Sequence, residues 1–209
     1  MLDTRYTILH TMRIIFFGTP DFVIPVVKSL LNTFTVVGVV TGPDQITGRK
    51  KLLTPSPVKQ FAFEQAIPTI LTPQQFNHET ISQLQTVSPD LFIVAAYGKI
   101  IPQSVLDLSK YGSLNIHPSH LPKYRGPSPI QSTLLAGEKE IGLSIIKMDE
   151  KMDHGPLIYQ KDIPLLGNET FAMLHQSLFQ EAADALPNII EAYVTGKSLP
   201  KEQDHTEAT

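Results

Sequence analysis

The stretch "RIIFFGTPDFVIPVVKSLLNTFTVVGVVT", Arg13 to Thr41, decides how the chain is read. Arg13 to Gly18 is a continuous apolar run closed by glycine, the pattern of a strand buried on both faces. Behind it, Thr19 is placed as a helix N-cap and Pro20 at the first helical position. Val23, Val26, Val27, Leu30 and Leu31 then recur at helical spacing. Phe34 to Thr41 is rich in β-branched residues and returns to a strand. Strand, helix and strand in that order build a parallel sheet.

The alternation continues. "GPDQITGRKKLLTPSP", Gly42 to Pro57, reads as a loop, longer than the roughly 2–6 residues usual between strand and helix. A weak strand at Thr69–Leu71 and a helix over Pro73–Leu84 precede "DLFIVAAYG", Asp90 to Gly98, the clearest buried strand. "GSLNIH", Gly112 to His117, is another, followed by a Pro-rich loop and a helix near Pro129–Ala136. Gly142–Asp149 gives a further strand, and "PLIYQKDIPL" one or two short ones. The last helix runs from about Thr170 to Gly196 on Phe171, Leu174, Leu178, Ile189 and Tyr193, with Pro187 expected to bend it. The fold class is α/β: a Rossmann-like, mostly parallel twisted sheet with helices on both faces. Ligands in such sheets bind beyond the carboxyl ends of the strands. The loops after Phe17, Tyr97, His117 and Asp149 are therefore expected on one rim. The tail "SLPKEQDHTEAT" reads as polar and frayed.

Composition narrows the chemistry. The 209 residues are 42% hydrophobic and 18% charged, ordinary for a globular chain with a sizeable core. No apolar run approaches the roughly 20 residues of a bilayer span, and "MLDTRYTILHT" lacks the h-region of a signal peptide. There is no cysteine, so thiolate nucleophiles, disulfides and Cys-type zinc sites are excluded. A net charge of -3 argues against a broad nucleic-acid footprint, though local basic clusters can still meet phosphate. A cytoplasmic location, no membrane contact and a monomeric state are the expectations.

The stretch "SLNIHPSHLPKYRGPSPIQ", Ser113 to Gln131, carries the chemistry-bearing pair. Asn115 and His117 lie two apart on a strand, so they share a face while Ile116 takes the other. An amide N–H stabilises an oxyanion, and an imidazole moves a proton near neutral pH. Alone, the pair is read first as bonding the loop that follows, since Asn and His are common at strand ends. Asp153, in "KMDEKMDHGPL", tips the balance, because a carboxylate there can orient the imidazole and favour its cationic form. Asp149 and Glu150 read as a solvated acidic turn, whereas Gly155 lets the backbone beside Asp153 fold tightly.

His117, His120, His154 and Asp153 raise a metal site, but His117 and His120 straddle a strand end and a proline, so no metal is expected. The first turn, "GTPDF", has one glycine where a dinucleotide fingerprint needs three, so nicotinamide or flavin binding is not expected. Arg49, Lys50, Lys51 and Lys59 make the long loop basic, and Lys123 and Arg125 add charge near Asn115. Both clusters fit either solvated loops or a polyanionic substrate.

Five segments taken together resemble the catalytic domain of methionyl-tRNA formyltransferase. They are "RIIFFGTPDF", "TGPDQITGRKKLLTPSPVKQ", "VAAYGKIIP", "NIHPSHLPKYRGPSPIQ" and "IIKMDEKMDHGPLIY". The resemblance runs from about Met12 to the tail. It implies 10-formyltetrahydrofolate as formyl donor and the α-amine of methionyl initiator tRNA as acceptor. Asn115, His117 and Asp153 match the catalytic residues. Ala96, Tyr97 and Gly98, with Ser119, His120, Leu121 and Pro122, match the folate site. Arg49, Lys50, Lys51, Arg125 and Gly126 match residues that meet tRNA, Arg49 as the arginine of the basic loop. The implied domains are an extension over 1–11, the catalytic domain over 12–198 and a polar tail over 199–209, without the C-terminal β-barrel of the family. His154 and Pro118 depart from the usual residues at their positions. The competing readings are a formyltransferase acting on an amino-sugar nucleotide and a folate- or tRNA-binding remnant without turnover.

Overall fold

An apolar run with no polar face is stable only inside a sheet covered on both sides, and β1 (Arg13–Gly18) meets that condition: every residue after Arg13 is buried. The computed structural model describes residues 11–48 and 51–209. The chain divides into two compact units, Met1–Ser113 and Leu114–Thr209.

In the first unit, β2 (Thr35–Val40), β5 (Ile70–Leu71) and β6 (Leu91–Ala95) join β1 in the order β5-β2-β1-β6. All three pairings are parallel. Phe16, Phe17 and Phe92 are among its fully buried side chains, each worth about 1.5–3 kcal/mol of burial. The helix after β1 departs from expectation. A 3-10 turn (Asp21–Val23) comes first, and α1 (Ile24–Thr33) follows with no side-chain cap. Thr19 serves elsewhere: its hydroxyl donates to Tyr97 O (3.1 Å) and accepts from Gly42 N (3.1 Å). It ties the turns after β1, β2 and β6 together.

The stretch read as a loop contains an antiparallel hairpin, β3 (Gln45–Thr47) with β4 (Leu52–Thr54). Ile46, Leu52 and Leu53 are exposed on it, so neither strand carries the buried face that marks a strand in sequence. α2 (Pro57–Glu64) also escaped the reading, although Ser56 caps it by accepting from Lys59 N. α3 (His78–Thr86) is capped by Asn77 and starts five residues beyond Pro73. A short α4 (Gln103–Leu106) completes the unit.

The second unit holds β7 (Ser113–His117) from Leu114 onward, then α5 (Pro129–Ala136), β8 (Glu140–Lys147), β9 (Leu157–Pro164) and α6 (Phe171–Val194). Its ladder is antiparallel throughout, with His117 opposite Ser144 and Leu114 opposite Lys147. Hence β8 ends beside the start of β7, and the turn after Asp149 does not leave from the rim where His117 lies. That part of the rim expectation fails, because it assumed a parallel β8. "PLIYQKDIPL" supplies one strand, β9, rather than two. α6 continues through Pro187 and buries Leu174, Leu178, Leu186 and Ile190, among others. Phe171 instead stays exposed.

The tail is not frayed. Leu157 and Lys201 exchange two backbone hydrogen bonds of 2.8 Å, and Gln203 is buried. His205–Glu207 forms a helical turn capped by Asp204. The hydroxyl and backbone N–H of Thr206 hold the Asp204 carboxyl below its ordinary range. A polar tail is ordered here because its amide and hydroxyl groups find backbone partners.

Candidate active site

β7 delivers Asn115 and His117 on one face. Asn115 is half-buried and His117 almost wholly buried. Asp153 reaches them from the turn after β8, which doubles back over the strand. Gly155 makes that fold possible by close approach: a Cβ there would lie 1.9 Å from Lys147 O. Asp153 itself sits in the left-handed region at φ 48°, tolerated by Asp better than by most residues.

The structure brings the three side chains together. Asn115 Nδ2 donates to Asp153 Oδ1 at 3.1 Å, and Gly126 N donates to Asp153 Oδ2 at 2.8 Å. His117 Nδ1 lies 3.6 Å from Asp153 Oδ1, close enough for an ion pair and too long for a good hydrogen bond. The firm bond of the ring is on the other side, between Nε2 and Tyr124 O at 2.9 Å. A carbonyl oxygen only accepts, so Nε2 carries a proton and Nδ1 is the nitrogen that gains or loses one. Orientation of the imidazole, expected from Asp153, comes from Tyr124. Backbone at φ 60° aims the Tyr124 carbonyl, and its phenol donates to Glu138 Oε1 at 2.6 Å. That bond holds the phenol pKa above its ordinary value.

The Pro-rich loop is stiff because its polar groups are used internally. Ser119 is fully buried; its hydroxyl donates to Lys123 O, and its carbonyl accepts from Ser144 Oγ. Leu121 is buried beside a cis Leu121–Pro122 peptide. Of this group His120 is exposed, with its ring bonded to Asp162. In the first unit, Ala96 and Gly98 are exposed in left-handed backbone at φ 46° and 80°. Tyr97 between them is buried, and burial pushes its phenol up to about 12.

The basic residues separate. Arg49 and Lys50 lie outside the described residues, and Lys51 is exposed at the end of the hairpin turn. Lys59 pairs with Asp44 at 2.6 Å. Arg125 turns into the tail, where Nη2 donates to Gln203 Oε1 (2.7 Å) and to His205 Nδ1 (2.8 Å). Gly126 spends its N–H on Asp153. Asp149, read as merely solvated, accepts from Lys151 N and bonds His154 Nδ1 at 2.7 Å, so it shapes the turn. Tyr124 and Gln203 are the residues near the site that sequence reasoning passed over. For Tyr124 the signal was the glycine two residues on; for Gln203 there was none.

Among the described residues, no group of three or more His, Asp or Glu side chains is placed to hold a metal ion. Nor is any helix long and apolar enough to cross a membrane.

An α/β frame that presents an amide, an imidazole and a carboxylate at one point, with no cysteine to act as nucleophile, suits transfer of a group by direct attack. The chain belongs to the formyl transferase family, whose model matches residues 12–190. It is 45% identical over 200 residues to the methionyl-tRNA formyltransferase of Thermotoga maritima, covering 95% of this chain and 64% of that protein. With the methionyl-tRNA formyltransferase of Bacillus subtilis the identity is 40%, covering 94% and 62%. The chain thus spans a little under two thirds of the length of these curated relatives. The fold is shared with glycinamide ribonucleotide transformylase 1 from Symbiobacterium toebii, at a TM-score of 0.74 and 19% identity over 93% of this chain and 95% of that one. A sugar 3N-formyl transferase solved in the presence of dTDP and 5-N-formyl-THF matches at a TM-score of 0.70 and 20% identity, covering 96% and 69%.

Proposed function

We propose that this chain transfers the formyl group of 10-formyltetrahydrofolate to the α-amino group of methionyl initiator tRNA. The observation that carries the reading is the Asn115–His117–Asp153 cluster, in a chain 45% identical to a methionyl-tRNA formyltransferase over 95% of its length.

An α-amino group has a pKa of about 7.7–8.0, so a useful fraction is neutral at pH 7. Its nitrogen attacks the formyl carbon, and the carbonyl oxygen becomes an oxyanion. Asn115 gives one N–H to Asp153 and keeps its second for that oxygen. The bond from carbon to the folate N10 then breaks as the amine proton moves to N10. His117 Nδ1 is the nitrogen able to exchange that proton, with the Asp153 carboxylate beside it. The exposed left-handed turn at Ala96 and Gly98 suits the amide edges of a pterin, which need backbone donors and acceptors. Ala96, Tyr97 and Gly98, with Ser119, His120, Leu121 and Pro122, are the proposed folate residues; Ser119 and Leu121 serve by holding the loop. Arg49, Lys50 and Lys51 between β3 and β4 are proposed to meet tRNA phosphates. Arg125 and Gly126, matched to the same role, act here through the tail and Asp153. A translation role of this kind places the chain in the cytoplasm.

The test supplies the purified chain with radiolabelled 10-formyltetrahydrofolate and, in parallel, charged initiator tRNA, an amino-sugar nucleotide and glycinamide ribonucleotide. Label is expected on the charged tRNA. Label on a small amine alone would overturn the acceptor, and label on none of them would overturn transfer itself.

A further inference from the structure

We infer that Gln203 is a positioning residue for Asp153: it locks the turn carrying the carboxylate to the loop carrying Arg125 and Gly126. The inference deepens the formyl-transfer reading and rests on it for its kinetic consequence, not for its structural one.

Gln203 is 5% exposed, although it lies in a polar tail. Its Nε2 donates to Asp153 O at 2.9 Å and to Gly155 O at 2.7 Å, while Oε1 accepts from Arg125 Nη2 at 2.7 Å. Both amide protons and the amide oxygen are therefore engaged. Flipping the amide would set its oxygen against two carbonyls and its N–H groups against a guanidinium, so one orientation is fixed. The bonded carbonyls are that of Asp153, whose φ is positive, and that of Gly155 two residues on. Such backbone is disfavoured and persists where its surroundings over-determine it. Gln203 supplies that constraint. It also closes a loop of contacts, because the Asp153 carboxylate already holds Gly126 N, one residue from the Arg125 that Gln203 grips.

The rest of the tail supports the same two segments. Thr209 O accepts from Arg125 N at 2.9 Å, and Thr209 Oγ1 accepts from Tyr124 N at 2.9 Å. The His205 ring stacks on His154 at 4.0 Å between centroids and 8° between planes. Tyr124 is the residue whose carbonyl holds His117, so the tail reaches both ends of the catalytic cluster.

The Gly126 amide reports on the inference without any activity, because its proton sits on Asp153 Oδ2. Hydrogen exchange of this amide is expected to quicken about ten-fold or more in Gln203→Ala, because local opening no longer has to break the Gln203 hydrogen bonds. Gln203→Glu keeps the size and an acceptor for Arg125 but loses both donors and sets an oxygen against two carbonyls, and the same quickening is expected. Gln180→Ala, on the exposed face of α6, is the control. Unchanged exchange in both Gln203 variants would overturn the inference. Kinetically, Gln203→Ala is expected to lower kcat about ten-fold with KM for the formyl donor within about two-fold, since misplacing a group acts on the transition state. Added to Asp153→Asn, it is expected to cost less than about two-fold more, because the effect passes through Asp153. Multiplying losses would overturn it. If no acceptor is formylated by the unaltered chain, the formyl-transfer reading fails, and the exchange result still decides the role of Gln203.

Discussion

His117 is held through Nε2 by Tyr124 O at 2.9 Å, and Asp153 faces the opposite nitrogen at 3.6 Å. In a serine-type triad the carboxylate grips one nitrogen and the other faces the reaction. Here the backbone grips Nε2 and the carboxylate lies on the Nδ1 side, the side to which the proposed transfer assigns the proton. Asp153 is thereby free to work on charge and on Asn115, whose amide it holds at 3.1 Å.

Asn115→Ala removes the donor proposed for the oxyanion. Turnover is expected to fall about 10²- to 10³-fold, with folate affinity close to that of the unaltered chain. Steady-state kinetics with a folate-binding titration checks both. Full activity in this variant would end the oxyanion assignment.

Asp153→Asn keeps the size and removes the charge. The carboxylate accepts on both oxygens, from Asn115 Nδ2 and Gly126 N. An amide can accept on one side only, so an N–H is forced against another donor. Loss of at least about 10²-fold in kcat is expected, with a retained fold by circular dichroism. A variant within three-fold or so of the parent would sink the role given to the carboxylate.

Gly155→Ala tests the route by which Asp153 arrives. The new methyl would meet Lys147 O at 1.9 Å, a backbone atom with no freedom to turn aside. The turn must open, costing about 3 kcal/mol and withdrawing Asp153 from Asn115. Urea unfolding and turnover are both expected to drop. Unaltered stability would mean the turn has slack that the geometry does not show.

The parallel half of the fold was legible because its strands are apolar on both faces: β1 falls on Arg13–Gly18 as read, and β6 lies within Asp90–Gly98. The helix at Pro129–Ala136 and the Thr170 cap of the last one were legible for the same local reasons. The β3–β4 hairpin was not, since Ile46, Leu52 and Leu53 point to solvent and its flanks are rich in proline and lysine. The direction of β8 was equally hidden, because an apolar run reads alike in either sense. At the site, residue types and spacing gave Asn115 and His117, and an acidic turn gave Asp153. The groups that hold them could not be seen. Tyr124 acts through a carbonyl, whose aim depends on a positive φ. Gln203 acts from a polar tail with nothing in its pattern to distinguish it from a solvated one.

Tyr97 offers a prediction in stability rather than rate. Its ring meets Phe17 edge-on at 5.6 Å and Phe76 at 6.2 Å, while its buried Oη has no hydrogen-bond partner among the described residues. Tyr97→Phe keeps the aromatic packing and removes an unpaired polar group, so stability should rise by about 1 kcal/mol near pH 8. The gap should then grow with alkali. Burial raises the folded phenol to about 12, whereas the unfolded one ionises near 10 or so. Over that interval the unfolded chain releases its proton first, so a contribution fully present below the unfolded pKa is lost as pH rises through the folded one. The phenylalanine variant has no such loss. Urea midpoints of both chains at pH 8 and pH 11 measure the difference, and an equal shift at the two values would show that the phenol is not buried as described.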